Sequence, residues 1–356
     1  MHLPTFSFLL LLLNSALVHA LTSTLQQVTN FGSNPTNVGM FVYRPTTVVA
    51  KPALIVAIHY CTGTAQAYFS GSPYAQLADQ FGFIVIYPSS PWSGTCWDVS
   101  SKATLTHNGG GDSNAIANMV AFAISNYGVD SSRVFVTGTS SGAMMTNVMC
   151  ATYPNLFKAA TVYSGVAAGC FVSNFGGSDA WNSTCSQGQS ITTQAAWATV
   201  ARNMFPGYTG TYPAIQEYHG TADTTLFPQN LIEEEKQWAG VFGYNQAAPA
   251  QVLQNTPLPN YTKSIFGPNL QGISAAGVGH TVPIQGNEDM KWFGIVAGGA
   301  GGSGSTTPAG TTTPSGPTTT PAGTTTVSTP VGTPTGGTAA HWAQCGGIGF
   351  AGPTGK

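Results

Sequence analysis

Residues 133–152 have the sequence RVFVTGTSSGAMMTNVMCAT, and the order of residue types in this stretch decides the fold. The β-branched run Arg133–Thr137 predicts a buried strand, and the apolar stretch Ser141–Thr152 predicts a buried helix. Between them, Gly138–Gly142 has the pattern G-x-S-x-G, in which the glycines let strand and helix approach closely around a strained turn. We therefore expect the hydroxyl of Ser140 to be exposed at the carboxyl edge of a sheet.

On both sides of this stretch, short β-branched runs alternate with amphipathic or alanine-rich segments, which is typical of a parallel sheet with crossover helices. Further strands are predicted at Leu54–His59, Phe83–Tyr87, Ala159–Tyr163 and Ala214–His219. Further helices are predicted at Tyr74–Phe81, Asn114–Asn126 and, as a charged surface helix, Asn230–Trp238. The sequence therefore predicts one α/β domain over residues 21–296, with a mainly parallel sheet flanked by helices.

A nucleophilic serine needs a general base, because its hydroxyl is weakly nucleophilic at neutral pH. In folds with this turn, the base is a histidine that follows an acidic residue late in the chain. Only His280 and His341 follow the later predicted strands, and His341 lies beyond a long Gly/Ser/Thr/Pro segment. His280, in the glycine-rich loop Gly277–His280, is therefore the predicted base.

The acidic partner is expected on a loop between the serine and the histidine, where the aspartates are Asp179 and Asp223. Asp223 directly follows a predicted strand, whereas Asp179 falls in a Gly/Ser-rich excursion, so Asp223 is preferred. It would fix the tautomer of the imidazole and stabilise the imidazolium. Glu217, on a strand, and the run Glu233–Glu235, on the predicted surface helix, remain as alternatives.

Two backbone N–H groups are expected to stabilise an oxyanion beside the serine. The first belongs to Ser141, at the start of the helix, and the second to Cys61, in the loop after the strand that ends near His59. The sulfur of Cys61 would tie this loop down through Cys96. No cluster of ligand residues has metal-site spacing and no phosphate-binding loop follows the first strand, so neither a metal nor another cofactor is expected.

The N-terminus indicates secretion. The apolar run Phe6–Leu13 and the small residues up to Ala20 predict a signal peptide over residues 1–20, and the run is too short for a membrane span, which needs about 20 residues. Secretion permits disulfides, for which the candidates are Cys61, Cys96, Cys170 and Cys185, with Cys150 as the cysteine left unpaired in the core. Sequons at Asn182 and Asn260 predict N-glycosylation.

Composition limits the partners and divides the chain. Charged residues make up 6% of the sequence and the net charge is -2, so no basic face exists for nucleic acid or an anionic membrane. Residues 297–338 are almost entirely Gly, Ser, Thr and Pro, which predicts a linker. Residues 339–356 bring back an aromatic and a cysteine, which indicates the start of a second module.

With these residues assigned, the chain resembles the fungal acetylxylan esterases of carbohydrate esterase family 1, relatives of feruloyl esterases and polyhydroxybutyrate depolymerases. The motifs that carry the resemblance are His59–Cys61, Cys96-Trp97-Asp98, Gly138–Gly142, His219–Asp223, Gly277–Val282 and Trp292-Phe293-Gly294. The resemblance implies an α/β-hydrolase fold, a triad of Ser140, Asp223 and His280, and oxyanion donors at Cys61 and Ser141. It also implies that Trp181 lies near the mouth of the site, where its ring would stack on a sugar; a purely structural role for Trp181 is the alternative.

The C-terminal segment His341–Phe350 resembles the opening of a fungal family 1 cellulose-binding module, but the sequence given stops at Lys356 without the later cysteines and aromatics of such a module. A module of this size depends on disulfides in place of a core. We therefore expect residues 339–356 to be a truncated module with weak cellulose contact at most.

The first functional hypothesis is a monomeric, extracellular serine esterase that deacetylates acetylated xylan. A feruloyl esterase or short-polyester hydrolase is the alternative within the same class, because the triad is identical and only the pocket differs. A cell-wall binding protein without catalysis is the alternative of a different class. It would require a broken triad, and all three residues are present.

Overall fold

The computed structural model describes residues 24–172 and 180–296. The strands are β1 (Gln26–Val28), β2 (Gly39–Tyr43), β3 (Leu54–Ile58), β4 (Ile84–Ser89), β5 (Val134–Thr139), β6 (Ala159–Tyr163), β7 (Ala214–Gly220), β8 (Gln251–Gln254), β9 (Tyr261–Gly267) and β10 (Leu270–Ala275). The helices are α1 (Ala65–Gly71), α2 (Tyr74–Phe81), α3 (Asp112–Tyr127), α4 (Ser141–Thr152), α5 (Ser183–Ser186), α6 (Gln194–Asn203), α7 (Gln229–Phe242) and α8 (Gly286–Trp292).

These strands form a ten-stranded sheet in the order β1-β2-β4-β3-β5-β6-β7-β10-β9-β8. The neighbours from β4 to β10 in this order pair in parallel, and antiparallel strands complete both edges. Apolar side chains of α3, α4, α6 and α7 cover one face of the sheet, and those of α1, α2 and α8 cover the other. The predicted α/β-hydrolase fold with a mainly parallel sheet is confirmed.

The central strands begin and end within two residues of the sequence predictions. Their apolar runs are continuous because both faces of a parallel sheet are covered by helices. The edge strands β1 and β8 were not predicted, because they are short and mostly exposed and no apolar run marks them. The inner strand β10 was also missed, since Gln271 and Gly272 interrupt its apolar pattern.

Helix α7 was predicted as a charged surface helix, and that prediction is wrong. The carboxyl-bearing residues Glu233, Glu234 and Glu235 are buried, because α7 packs between α6 and the sheet. Charged side chains tolerate burial when they are paired or hydrogen-bonded. Glu233 shows this, since its carboxylate accepts hydrogen bonds from Trp197 Nε1 at 2.8 Å and from Lys236 Nζ at 2.7 Å.

Disulfides join Cys61 to Cys96 and Cys170 to Cys185, and Cys150 is free and buried in α4. Among residues 24–172 and 180–296, no helix is long and apolar enough to cross a membrane. The predicted signal peptide, linker and C-terminal module lie outside the described residues. So does Asp179, the less favoured candidate for the acid.

Candidate active site

Ser140 lies between the end of β5 and the start of α4, at the carboxyl edge of the central sheet. Its backbone has φ 56° and ψ −120°, a conformation that costs a non-glycine residue about 1–3 kcal/mol. Surrounding contacts hold it there: its N–H donates to the carbonyl of Tyr163 at the end of β6, at 2.9 Å. The strained turn lifts the side chain out of the sheet, as the sequence pattern predicted.

The two glycines of the motif are required by close backbone approach. A Cβ built on Gly138 would overlap the carbonyl of Gly142, and a Cβ on Gly142 would overlap the carbonyl oxygens of Ile58 and His59. The first contact lets α4 fold back over β5. The second brings the end of β3, and the loop that follows it, against the N-terminus of α4 beside Ser140.

His280 brings its imidazole between Ser140 and Asp223. Its Nε2 lies 2.8 Å from the Oγ of Ser140, and its Nδ1 lies 2.7 Å from the Oδ2 of Asp223. A carboxylate only accepts hydrogen bonds, so Nδ1 carries the hydrogen and Nε2 presents a lone pair to the serine hydroxyl. This is the tautomer that a general base requires.

The loop before His280 is fastened to the loop that carries Asp223. The backbone N–H of Ala222 donates to the carbonyl of Val278 at 2.9 Å, and that of Gly277 donates to Thr221 Oγ1 at 2.9 Å. Gly220 lies so close to Val278 that a Cβ there would overlap its carbonyl. The two catalytic loops are therefore fixed to each other.

Asp223 is buried, yet it is surrounded by hydrogen-bond donors. Its Oδ1 accepts from the backbone N–H groups of Thr225 and Leu226 at 2.8 and 2.9 Å. Burial raises the pKa of this carboxyl, but hydrogen bonds and positive charge from His219 and His280 outweigh burial and leave the pKa well below its ordinary value. The carboxyl group of Asp223 is therefore ionised at neutral pH.

The loop after β3 is held by its own disulfide and by His59. The imidazole of His59 is buried: its Nδ1 donates to the carbonyl of Tyr60 at 2.7 Å, and its Nε2 accepts from the N–H of Ser90 at 3.1 Å. Burial lowers the pKa of His59 to about 4, so it is a neutral structural group. Together with the Cys61–Cys96 bond, it fixes the loop that carries the predicted oxyanion donor Cys61.

Trp181 is exposed over 54% of its surface, and its ring packs edge-on against Phe171 at 5.3 Å. The next residue, Asn182, caps α5 by accepting from the N–H of Cys185 at 3.1 Å. The N–H of Phe227, just after the loop that carries Asp223, donates to the carbonyl of Ser186 at 2.7 Å. The region around Trp181 is thereby attached to the loop of the predicted acid.

The structure brings together Ser140, His280 and Asp223, and it separates the alternatives from them. Glu217 lies within β7 and Glu234 within α7, and both side chains are buried between the sheet and α7. The imidazole of His219 also reaches Asp223, a contact that was not expected from the sequence. The signal was present, because His219 stands four residues before Asp223 at the end of a predicted strand.

Within the described ranges, no three His, Cys, Asp or Glu side chains are grouped so that they could hold a metal ion. What the arrangement does offer is a nucleophile, a base in the required tautomer and an ionised acid. The helix N-terminus at Ser141 adds backbone N–H groups beside the nucleophile. This set is suited to acyl transfer.

Comparison with known proteins agrees with this chemistry. The family model of the esterase PHB depolymerases matches residues 39–256. Acetylxylan esterase A of Talaromyces purpureogenus is 63% identical over 331 residues, which cover 93% of this chain and 86% of that protein. Acetylxylan esterase A of Aspergillus oryzae is 65% identical over 272 residues, which cover 76% of this chain and 89% of that protein.

A solved structure extends the comparison to the fold. The acetyl xylan esterase from Aspergillus awamori has 65% sequence identity and a TM-score of 0.76, and the match covers 77% of this chain and all of that one. The family match spans more than half of the chain, and the aligned relatives span most of it. The chain therefore belongs to the esterase PHB depolymerase family, and fungal acetylxylan esterases are among its homologues.

Proposed function

We propose that the chain is a secreted serine esterase that removes acetyl groups from acetylated xylan. The observation that carries the chemistry is the continuous row of hydrogen bonds from Asp223 through His280 to Ser140, with distances of 2.7 and 2.8 Å. The names of the relatives, acetylxylan esterases more than 60% identical to this chain, support the substrate class.

In the proposed first step, Ser140 Oγ attacks the acetyl carbonyl while Nε2 of His280 takes the hydroxyl proton. Asp223 stabilises the imidazolium that forms. The tetrahedral oxyanion accepts hydrogen bonds from the backbone N–H groups of Ser141 and Cys61. When the carbonyl re-forms, the sugar oxygen leaves with the proton from His280, and the acetyl group stays on Ser140.

The second step repeats the chemistry with water. A water molecule gives a proton to Nε2 of His280 and attacks the acetyl-enzyme, and the same N–H groups hold the second oxyanion. Collapse of this intermediate returns the proton to Ser140 and releases acetate. Because Ser140, His280 and Asp223 are complete, a cell-wall binding protein without catalysis is disfavoured.

The acyl group that the site accepts rests on the relatives, since a feruloyl esterase or short-polyester hydrolase would use the same three residues. Trp181 is proposed as a sugar-stacking residue at the mouth of the site. Its exposed ring and its attachment to the loop of Asp223 support that role. Ring stacking would orient the xylan chain without taking part in the chemistry.

Further parts of the proposal concern the whole chain. Residues 1–20 are proposed as a signal peptide, residues 297–338 as a linker, and residues 339–356 as part of a cellulose-binding module. Two disulfides support an extracellular location, because such bonds persist in oxidising compartments. The mature enzyme is proposed to be a monomer that carries N-glycans on Asn182 and Asn260.

The test is acetate release from acetylated xylan by the purified protein and its Ser140→Ala variant, with methyl ferulate assayed in parallel. We expect the wild type to prefer acetylated xylan and the variant to lose roughly three or more orders of magnitude in kcat, because the oxyanion donors cannot replace a covalent nucleophile.

The matched control is Ser164→Ala, at the end of the neighbouring strand β6. Ser164 also has a positive φ, 56°, so the change tests the same kind of backbone without touching the triad. A Ser140→Ala variant with more than a tenth of wild-type activity would contradict the assignment. If the wild type hydrolysed methyl ferulate faster than acetylated xylan, the enzyme would be a feruloyl esterase instead.

A further inference from the structure

Behind the proposed acid lies a second imidazole. His219 is in β7, four residues before Asp223, and its side chain is buried. Its Nε2 lies 2.8 Å from the carbonyl oxygen of Leu226 and 3.2 Å from the Oδ2 of Asp223. A carbonyl oxygen only accepts, so Nε2 carries a hydrogen. This single N–H faces both the backbone and the carboxylate of the segment 223–226, which we call the acid loop.

The acid loop is held from two sides. On one side, Asp223 Oδ1 accepts from the N–H groups of Thr225 and Leu226, which closes a turn around the carboxylate. On the other side, His219 reaches the carbonyl at the end of the same turn. The imidazole therefore spans the beginning and the end of the loop that carries the acid.

Oδ2 of Asp223 is reached by two imidazoles, the Nδ1 of His280 at 2.7 Å and the Nε2 of His219 at 3.2 Å. Oδ1 is engaged separately by the backbone. A carboxylate held at both oxygens cannot rotate freely, so the oxygen that faces His280 stays in place. Catalytic groups need this fixation, because a displacement of about 1 Å costs roughly a hundredfold in rate.

The other ring nitrogen of His219 faces Glu234 without a hydrogen bond. Nδ1 of His219 lies 4.0 Å from the Oε2 of Glu234, beyond hydrogen-bond distance, and neither atom has a hydrogen-bond partner among residues 24–172 and 180–296. Both hydrogen-bonding contacts of the ring thus go to the acid loop.

We infer that His219 is a positioning residue of the esterase, whose Nε2–H holds the carboxylate of Asp223 and the carbonyl of Leu226 so that the acid is presented to His280. The inference rests on the proposed triad and deepens it. The hydrogen bonds of His219 go neither to Ser140 nor to His280. Its effect on the reaction passes through Asp223 alone.

Two substitutions separate the N–H group from the bulk of the side chain. His219→Met fills much of the same volume without a donor, whereas His219→Gln can place an amide N–H near the position of Nε2. With 4-nitrophenyl acetate as the substrate, we expect the Met variant to lose roughly ten- to a hundredfold in kcat with KM within about twofold of the wild type. The Gln variant should recover to within about fivefold of wild-type kcat.

The matched control is His107, whose Nδ1 also bonds to a backbone carbonyl, that of Thr152, at 2.6 Å. Thr152 ends α4, so this contact lies at the opposite end of the helix from Ser140. His107→Gln and His107→Met should leave kcat within about twofold of the wild type. If His219→Met does not fold, His219→Asn replaces it, because its shorter amide does not reach the position of Nε2.

The decisive measurement is the coupling to Asp223. In an Asp223→Ala background, His219→Met should reduce kcat by less than about threefold, because the group it positions is gone. The inference is overturned if the loss is as large there as in the wild-type background, if Gln loses as much as Met, or if the loss appears in KM. Wild-type activity in Asp223→Ala itself would instead overturn the proposed triad.

Discussion

Asp223 and Glu234 flank the imidazole of His219, and the pKa values of their carboxyl groups are shifted in opposite directions. Both side chains are buried, at 3.2 Å and 4.0 Å from the nitrogens of His219. The pKa of Asp223 lies well below its ordinary value, whereas burial raises the pKa of Glu234 to about 8. Equal burial next to one shared neighbour therefore does not decide which carboxyl is ionised.

The difference lies in the hydrogen-bond donors around each group. The imidazoles of His219 and His280 both reach Oδ2 of Asp223 and lower its pKa, and backbone N–H groups add further donors. Asp223 stands in a turn, where the N–H groups of Thr225 and Leu226 are not used by a helix or sheet and donate to Oδ1. Glu234 stands in the interior of α7, where backbone N–H groups are used within the helix. Its Oε1 accepts from Asn147 Nδ2 at 2.7 Å, while Oε2 has no partner in the described part of the chain.

Glu217 is a second buried carboxyl with a raised pKa, like Glu234. It is fully buried in the middle of β7, whose backbone N–H groups serve the sheet, and neither of its carboxyl oxygens has a partner within the described ranges. Burial first, and then the nearby charges of Glu234 and Glu235, raise the pKa of Glu217 well above its ordinary value. The donors that reach each carboxyl group, and not burial alone, therefore separate Asp223 from Glu217 and Glu234.

The largest expected effect comes from changing each carboxyl to its amide. Asp223→Asn should lower kcat by roughly 10³- to 10⁴-fold, because an amide cannot fix the required tautomer of His280 or stabilise its charge. Glu234→Gln should stay within about threefold of the wild type, since a protonated carboxyl and an amide are alike. Initial rates on 4-nitrophenyl acetate, with folding checked by circular dichroism, measure both.

Asp179→Asn completes this experiment, because Asp179 was the other candidate from the sequence and lies outside the described residues. It should leave kcat near the wild-type value. A severe loss in Asp179→Asn with a mild one in Asp223→Asn would move the acid to Asp179. A severe loss of kcat in Glu234→Gln would show that an ionised Glu234 is needed for activity, which contradicts its raised pKa.

The next effect is on stability against pH. Glu234 titrates near its ordinary value of 4.5 when unfolded and at about 8 when folded, so the unfolded chain binds fewer protons between these values. The free energy of unfolding should therefore fall as pH rises from about 4.5 to 8, by up to about 1.4 kcal/mol per pH unit for this group, or about 5 kcal/mol over the window. Below and above that window, this contribution is constant.

Urea unfolding at pH 5 and pH 8 tests this slope in the wild type and in Glu234→Gln. The free energy of unfolding should fall less between pH 5 and pH 8 in the variant than in the wild type, because the amide does not ionise. Buried Glu235 and Asp289, with pKa values that burial raises to about 7, act in the same direction and leave a residual slope. Glu288→Gln, at a surface ion pair with Lys291, is the control. Identical slopes in wild type and Glu234→Gln would contradict the raised pKa.

The sequence predicted the candidate site residues that a short motif or the order of residues along the chain can identify. Ser140 follows from a motif placed between strand and helix, and His280 from its order in the chain. The buried state of Glu233–Glu235 did not follow, because a charged run indicates solvent unless its tertiary partners are known. Those partners come from β10, where Gly272 leaves room for the carboxyl of Glu235, and from α6, where Trp197 donates to Glu233.

The same limit explains why the role of His219 was missed. Along β7, Ile215, Glu217 and His219 share one face by the alternation of a strand. The sequence places an acid and a base on that face, but the carboxyl of Glu234, which lies 4.0 Å from His219, belongs to a helix later in the chain. Only packing decides that the imidazole turns its Nε2–H to Asp223.

The smallest expected effect is that of metal removal, which should change nothing. It tests the distinction between the ionised carboxyl of Asp223 and the buried carboxyls of Glu217 and Glu234, whose pKa values are raised. A zinc ion needs about three protein ligands at 2.0–2.3 Å, with carboxyls deprotonated. Asp223 has its oxygens occupied by N–H donors, and burial favours the protonated forms of Glu217 and Glu234, which bind metals poorly. Incubation with EDTA should leave both kcat and the thermal midpoint unchanged. If both fell together and returned with zinc, the buried carboxyls would be metal ligands and the contrast with Asp223 would be lost. If kcat alone fell and returned, the metal would act at the catalytic site, and the proposed role of His280 as sole base would be wrong.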